Sequence, residues 1–136
     1  MDKNLYECFN NIKLTVREAS MLSPLQLAYI GDAVYELFIR TYLLQKNLPV
    51  HELHKEAVQY VKAEAQSDII HSLENMLTEE EKNIVKRGRN SKNHSSPKNA
   101  SITDYKYATG FEALVGFLYL TNQEKRMFQL FNEIIS

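Results

Sequence analysis

Two acids stand inside apolar helical segments, where an ionised side chain needs a reason. Asp32 lies within Ala28-Tyr29-Ile30-Gly31-Asp32-Ala33-Val34-Tyr35, and Glu112 within Phe111-Glu112-Ala113-Leu114-Val115-Gly116-Phe117-Leu118. A carboxylate in such surroundings is unfavourable unless it is paired, hydrogen-bonded or bound to a cation. Each has a glycine nearby, Gly31 and Gly116, and a glycine inside a helix costs roughly 0.5–1 kcal/mol relative to alanine. Accepting that twice points to close helix–helix or helix–ligand approach at both places. Taken singly, each acid reads more simply as the polar edge of its helix. Glu36, one turn after Asp32, extends that edge into a narrow acidic stripe. Should the two acids meet, the chemistry is that of Mg²⁺, which takes hard oxygens from a few carboxylates plus water and phosphate. Such an ion acidifies a water and stabilises charge building on phosphorus, so no side-chain nucleophile is required. None is evident: Cys8 is isolated, and no serine sits in a Gly-flanked elbow.

The second chemical feature is basic. Between Lys82 and Tyr107 there are seven bases against the single acid Asp104, a net of +6, so the rest of the chain carries −7 within an overall charge of −1. One surface is built to meet an anion while the remainder is acidic. Lys86, Arg87, Arg89, Asn90, Lys92 and Lys98 are the candidates for contacting a phosphate backbone, cations interspersed with the small donors that such contacts use. No aromatic residue separates these bases, so the stretch does not resemble a single-strand stacking platform, and recognition of a duplex backbone fits better. His51 and His54 flank Glu52 on a helix, but without further ligands they make a poor zinc site. His71 reads as a surface or partly packed residue and His94 as a loop residue. The eight Tyr are spread along apolar faces and suit core or dimer-interface positions with a wet hydroxyl.

The elements that must position these groups read as helices. In 136 residues, 44% are hydrophobic and 24% charged, with only four Gly and three Pro, which suits one globular all-α domain and leaves little turn material for a β fold. Ser23, Pro24 and Gln26 open a helix over residues 24–45 with a capping box, and Asn47-Leu48-Pro49 breaks it. Residues 50–77 keep helical spacing, with a bend near Ala63 dividing them. Thr78 and Glu81 form a second capping box, for a helix ending in Lys86 and Arg87 before Gly88. Residues 88–103 read as a long loop. A strongly apolar helix then carries Tyr105, Ala108, Phe111, Val115 and Leu118, and Thr121 with Glu124 offers a third capping box for a final amphipathic helix. A short apolar pattern of Leu5, Phe9 and Ile12 allows one helix in residues 1–21. The lone cysteine suits a reducing, cytoplasmic setting, and no apolar run reaches the ~20 residues of a membrane span.

The stretch from Leu27 to Leu37 closely resembles the signature helix of the RNase III family, whose core reads roughly E-F-L-G-D-A-V-L-E-L. Residues Thr109-Gly110-Phe111-Glu112-Ala113-Leu114-Val115-Gly116 resemble that family's second acidic segment, D-x-x-E-A-L-x-G. Asp32 and Glu112 fall on metal-binding carboxylates of the family, while Ala28 and Thr109 stand where it carries two further acids. No double-stranded-RNA-binding domain is expected to follow. These departures resemble Mini-III, the short RNase III type, with which the chain shares the segments at 28–32, 86–90, 97–99 and 111–114. The resemblance implies residues 22–136 as an RNase III-like catalytic domain after an extension over residues 1–21, and a homodimeric helical endonuclease. It implies Mg²⁺, with Mn²⁺ able to substitute, bound by Asp32 and Glu112. Cleavage of double-stranded RNA would leave 5′-phosphate and 3′-hydroxyl ends, in maturation of 23S ribosomal RNA precursors. Lys62 and Gln66 are further candidates for RNA contact or for supporting the carboxylates. The alternative is a catalytically silent RNA-binding protein on the same fold, its chemistry lost with the acids at positions 28 and 109.

Overall fold

The computed structural model describes residues 13–91 and 101–136, and among them every regular element is helical. The helices are α1 (Val16–Ser20), α2 (Pro24–Leu43), α3 (Val50–Val61), α4 (Ala63–Leu73), α5 (Glu79–Arg89), α6 (Ile102–Leu120) and α7 (Glu124–Ile135), with single 3-10 turns at Leu44–Lys46 and Glu74–Met76. The pattern of Leu5, Phe9 and Ile12, and the candidates Lys92 and Lys98 with His94 and Pro97, lie outside the described residues.

The centre of the fold is α6. Its sequence is apolar on every side, with Ala108, Phe111, Leu114, Val115 and Leu118 all buried, and a helix of that kind must be enclosed by others. α2, α4 and α5 surround it, and α7 closes the core through Met127, Leu130 and Phe131. Tyr35 of α2 meets Phe111 edge-to-face at 4.9 Å, and Phe38 stacks on Phe131 at 4.2 Å. At the N-terminal side, Thr15 and Glu18 form a capping box for α1, Ala19 is fully buried, and the Leu14 N–H donates to the Leu120 carbonyl at 2.7 Å.

Two of the three capping boxes read from the sequence are present. The Ser23 hydroxyl accepts from the Gln26 N–H while the Gln26 side-chain oxygen accepts from the Ser23 N–H, and Thr78 and Glu81 do the same for α5. The third is not formed. Thr121 ends α6, its hydroxyl donating to the Phe117 carbonyl at 2.7 Å, and Gln123 occupies the N-cap of α7 with no side-chain cap. The break between α3 and α4 falls at Lys62, whose ψ of 154° is extended. α5 does not stop before Gly88 but runs through it to Arg89, and α6 begins at Ile102. Residues 88, 89, 102 and 103, read as loop from the sequence, are therefore helical. A glycine suits this helical position because its bare backbone faces Gly110, where a Cβ would come within 2.8 Å of the Gly110 Cα.

Candidate active site

Asp32 and Glu112 meet because α2 and α6 cross backbone to backbone. A Cβ placed on Gly31 would overlap the Glu112 carbonyl, and one on Gly116 would overlap the Leu27 carbonyl. The two glycines thus let the helices approach within side-chain-free contact at the residues beside both acids. Asp32 remains exposed on α2, whereas Glu112 is largely buried on α6. Burial, then the charge of Asp32 and a hydrogen bond shared with it, push the Glu112 carboxyl up to about 8, with Glu36 adding to the effect and Gln66 opposing it. Burial is the larger cause, and a second carboxylate close by without a counter-charge adds to it.

Gln66, a candidate for supporting the carboxylates through the family resemblance, reaches Glu112. It is 2% exposed in the first turn of α4, and its Nε2 donates to the Val61 carbonyl at 2.8 Å and to Glu112 Oε2 at 3.3 Å. The neighbouring carbonyl of Tyr60 accepts from the Tyr35 hydroxyl at 3.0 Å. The end of α3 is thereby tied to α2 one turn from Asp32 and to Glu112 itself. The Oε1 of Gln66 is buried with no hydrogen-bond partner, an uncommon state for a native side chain.

The donor set suits a hard divalent cation. Two repelling carboxylates, one of them holding a proton through neutral pH, are what a bound cation relieves. It is a sparse set. Ala28 and Thr109 are buried, and the Thr109 hydroxyl donates to the Tyr105 carbonyl at 3.0 Å rather than facing a ligand. Among the described residues no group of three or more His, Cys, Asp or Glu is placed to hold a metal. His51 contacts Glu52 at 3.3 Å and goes no further towards one.

The basic candidates gather at the end of α5. Lys86 and Asn90 are exposed. Arg89 donates to Asn90 Oδ1 at 3.3 Å and to the Tyr107 hydroxyl at 3.4 Å, and lies 5.5 Å from the centre of that ring. Arg87 turns the other way, donating to the Leu22 carbonyl at 3.2 Å just before α2. The ring of His71 packs on Tyr107 at 4.3 Å. No spacing rule links residues 71, 89 and 107, so that aromatic contact was not visible in the sequence. Lys62 is exposed at the α3–α4 break.

The sequence and the helical fold of this chain are similar to those of known proteins. Residues 25–123 match the family model described as Ribonuclease III domain. The chain is 50% identical over 129 residues to a Mini-ribonuclease 3 of Thermoanaerobacter, covering 93% of this chain and 91% of that protein. It is 49% identical over 126 residues to one of Clostridium tetani, covering 91% and 83%. This chain belongs to the Mini-ribonuclease 3 family. It is thus of the RNase III type of endoribonuclease. A crystal structure of a Fusobacterium nucleatum protein, 40% identical, superposes with a TM-score of 0.79 over 83% of this chain and 93% of that one. No helix among the described residues is long and apolar enough to cross a membrane.

Proposed function

We propose that this chain is a divalent-metal-dependent endoribonuclease that hydrolyses double-stranded RNA, with Asp32 and Glu112 as its metal-binding carboxylates. The observation that carries this reading is the crowding of those two acids at the α2–α6 crossing, where the Glu112 carboxyl is pushed up to about 8. A divalent cation held there supplies a neutralising charge for phosphoryl oxygens and an acidified water. Asp32 offers the solvent-facing oxygens, Glu112 the buried ones, and Gln66 keeps the Glu112 carboxylate turned towards Asp32. Lys86, Arg87, Arg89 and Asn90, with Lys92 and Lys98, meet the RNA backbone. Membership of the family supports the 23S ribosomal RNA precursor as the natural substrate and 5′-phosphate, 3′-hydroxyl ends as products, in the cytoplasm.

The same reading includes a homodimer. Along α2, Tyr29, Ala33 and Leu37 form an exposed stripe, with Tyr29 80% and Leu37 67% exposed. The stripe borders an apolar groove of about 550 Å³ whose far side is Phe128 and Phe131. Contiguous apolar surface of this kind marks an association face. Leu37→Glu is expected to shift the protein from dimer to monomer in light scattering, and an unchanged mass would move the dimer face elsewhere.

The assay that tests the activity incubates the protein with duplex and single-stranded RNA, with Mg²⁺, with Mn²⁺ or with EDTA. Cleavage of duplex with either metal is expected, and none with EDTA. Cleavage persisting in EDTA refutes the metal–carboxylate chemistry, and duplex binding without cleavage favours the silent RNA binder.

A further inference from the structure

A second concavity lies between α4, α5 and the start of α6, separate from the carboxylates. It has a volume of about 390 Å³, within the range of small-ligand sites. Its floor is apolar, made by Ile70, Leu77 and Val85, and its rim carries Lys86 and Arg89. One wall is aromatic: Tyr107 with the His71 ring packed on it at 4.3 Å and the Arg89 guanidinium 5.5 Å from its centre. The His71 Nδ1 faces the Ser67 carbonyl at 2.7 Å. A carbonyl only accepts, so Nδ1 carries the proton and Nε2 of the neutral ring is left as an acceptor.

This combination is not what a duplex backbone needs. A-form RNA presents phosphates and 2′-hydroxyls, which would leave an apolar floor and a ring wall unfilled. A single nucleotide fills each part: a flat base for the rings and floor, a phosphate for Lys86 and Arg89, and base-edge donors for His71 Nε2. Tyr107 precedes Glu112 by five residues on α6, and His71 follows Gln66 by five on α4. That spacing is roughly 7–8 Å of rise and about 140° of turn on each helix, so the cavity lies between one and two turns from Glu112 and Gln66 on another face of the same two helices.

We propose that this cavity is a ribonucleotide site, filled by a nucleotide turned out of the RNA duplex close to the bond that is cut. The inference rests on the ribonuclease reading for its location beside the scissile bond. The shared chemistry, a base carrying a phosphate, is also that of a free nucleoside monophosphate, and two experiments on the full chain separate the sources. In the first, adenosine 5′-monophosphate and inorganic phosphate are titrated calorimetrically. The nucleotide is expected to bind about tenfold or more tightly than phosphate, an advantage that Tyr107→Ala removes. In the second, kcat/KM is compared for two duplexes that differ by one unpaired nucleotide next to the cut. The duplex with the unpaired nucleotide is expected to be cut several-fold more efficiently, and Tyr107→Ala or His71→Ala to bring the ratio to one. His71 is exposed, so its variant keeps the test valid if Tyr107→Ala fails to fold. Nucleotide binding with a ratio of one in the wild type assigns the cavity to a free nucleotide and overturns its role in RNA. Binding no tighter than phosphate, with a ratio of one, overturns the site altogether. Failure of the wild type to cut either duplex counts against the ribonuclease reading, and the titration then still decides the cavity.

Discussion

Glu112→Gln is expected to abolish cleavage of duplex RNA while making the metal-free protein more stable at alkaline pH. The glutamine keeps the shape and still accepts from the Gln66 amide, but it removes a charge a cation needs, so the loss should be on the order of 10³-fold or more in kcat. The gain in stability follows from proton linkage. The Glu112 carboxyl sits at about 8 in the folded chain against an ordinary 4.5. Below about 4.5 both folded and unfolded chains hold the proton and the group contributes no difference. As pH rises from there towards 8, the unfolded chain ionises first, binds fewer protons, and stability falls; above 8 the loss levels off. Wild-type protein in EDTA should therefore melt several degrees lower at pH 8.5 than at pH 5.5 from this source, and the glutamine variant should lack that part of the slope. Asp32→Asn should also lose cleavage and flatten the slope partly, because it removes the neighbouring charge but not the burial. Melting curves in EDTA at the two pH values, beside a gel assay with Mg²⁺, measure both halves. A glutamine variant that cleaves within tenfold of wild type, or that melts below it at pH 8.5, would sink the assignment.

The features legible in the sequence were those set within one or two helical turns. Ser23 with Gln26 and Thr78 with Glu81 cap helices by contacts three residues apart, and both boxes form as the spacing implies. Thr121 with Glu124 has the same spacing, yet Thr121 completes the preceding helix instead, where its hydroxyl finds the Phe117 carbonyl. A threonine between two helices can serve either end, and local pattern does not decide which. Glu81 showed only its capping role. In the fold it is 3% exposed and also takes a two-oxygen ion pair from Arg126, both contacts at 2.8 Å. Burial raises the Glu81 carboxyl, but hydrogen bonds from Arg126 and Thr78 outweigh it and hold it below its ordinary value. Gly88 looked like a helix stop because glycine usually is one, yet it lies within the helix, where its lack of a side chain admits Gly110 of another helix. The candidate site shows the same division. The odd placement of Asp32 and Glu112 was local and visible, and Gln66 was reached through the family resemblance, whereas the acids' meeting and the His71–Tyr107 contact are products of helix crossing.

That crossing makes the second large prediction. Gly31→Ala should destabilise the protein by at least about 3 kcal/mol and cost most of the activity that remains in the folded fraction. Two effects of opposite sign compete. Alanine favours the helix over glycine by roughly 1 kcal/mol, which would stabilise α2 in isolation. Against this, the new methyl would overlap the Glu112 carbonyl and press within 2.8 Å of the Gly116 amide nitrogen. Both obstacles are backbone of the central helix, so no side chain can rotate away, and α2 must shift relative to α6. Steric overlap wins. The shift also moves Asp32 from Glu112, because the contact relieved is the one that sets their separation. A substitution meant only to lower stability would leave the Glu112 environment intact in the folded molecules. This one should also flatten the dependence of stability on pH, since Asp32 would act less strongly on the carboxyl. Denaturant unfolding at pH 5.5 and 8.5 therefore distinguishes a moved crossing from a generally weakened fold. A Gly31→Ala protein as stable as wild type, with full cleavage, would show that the helices do not approach as closely as the two glycines permit.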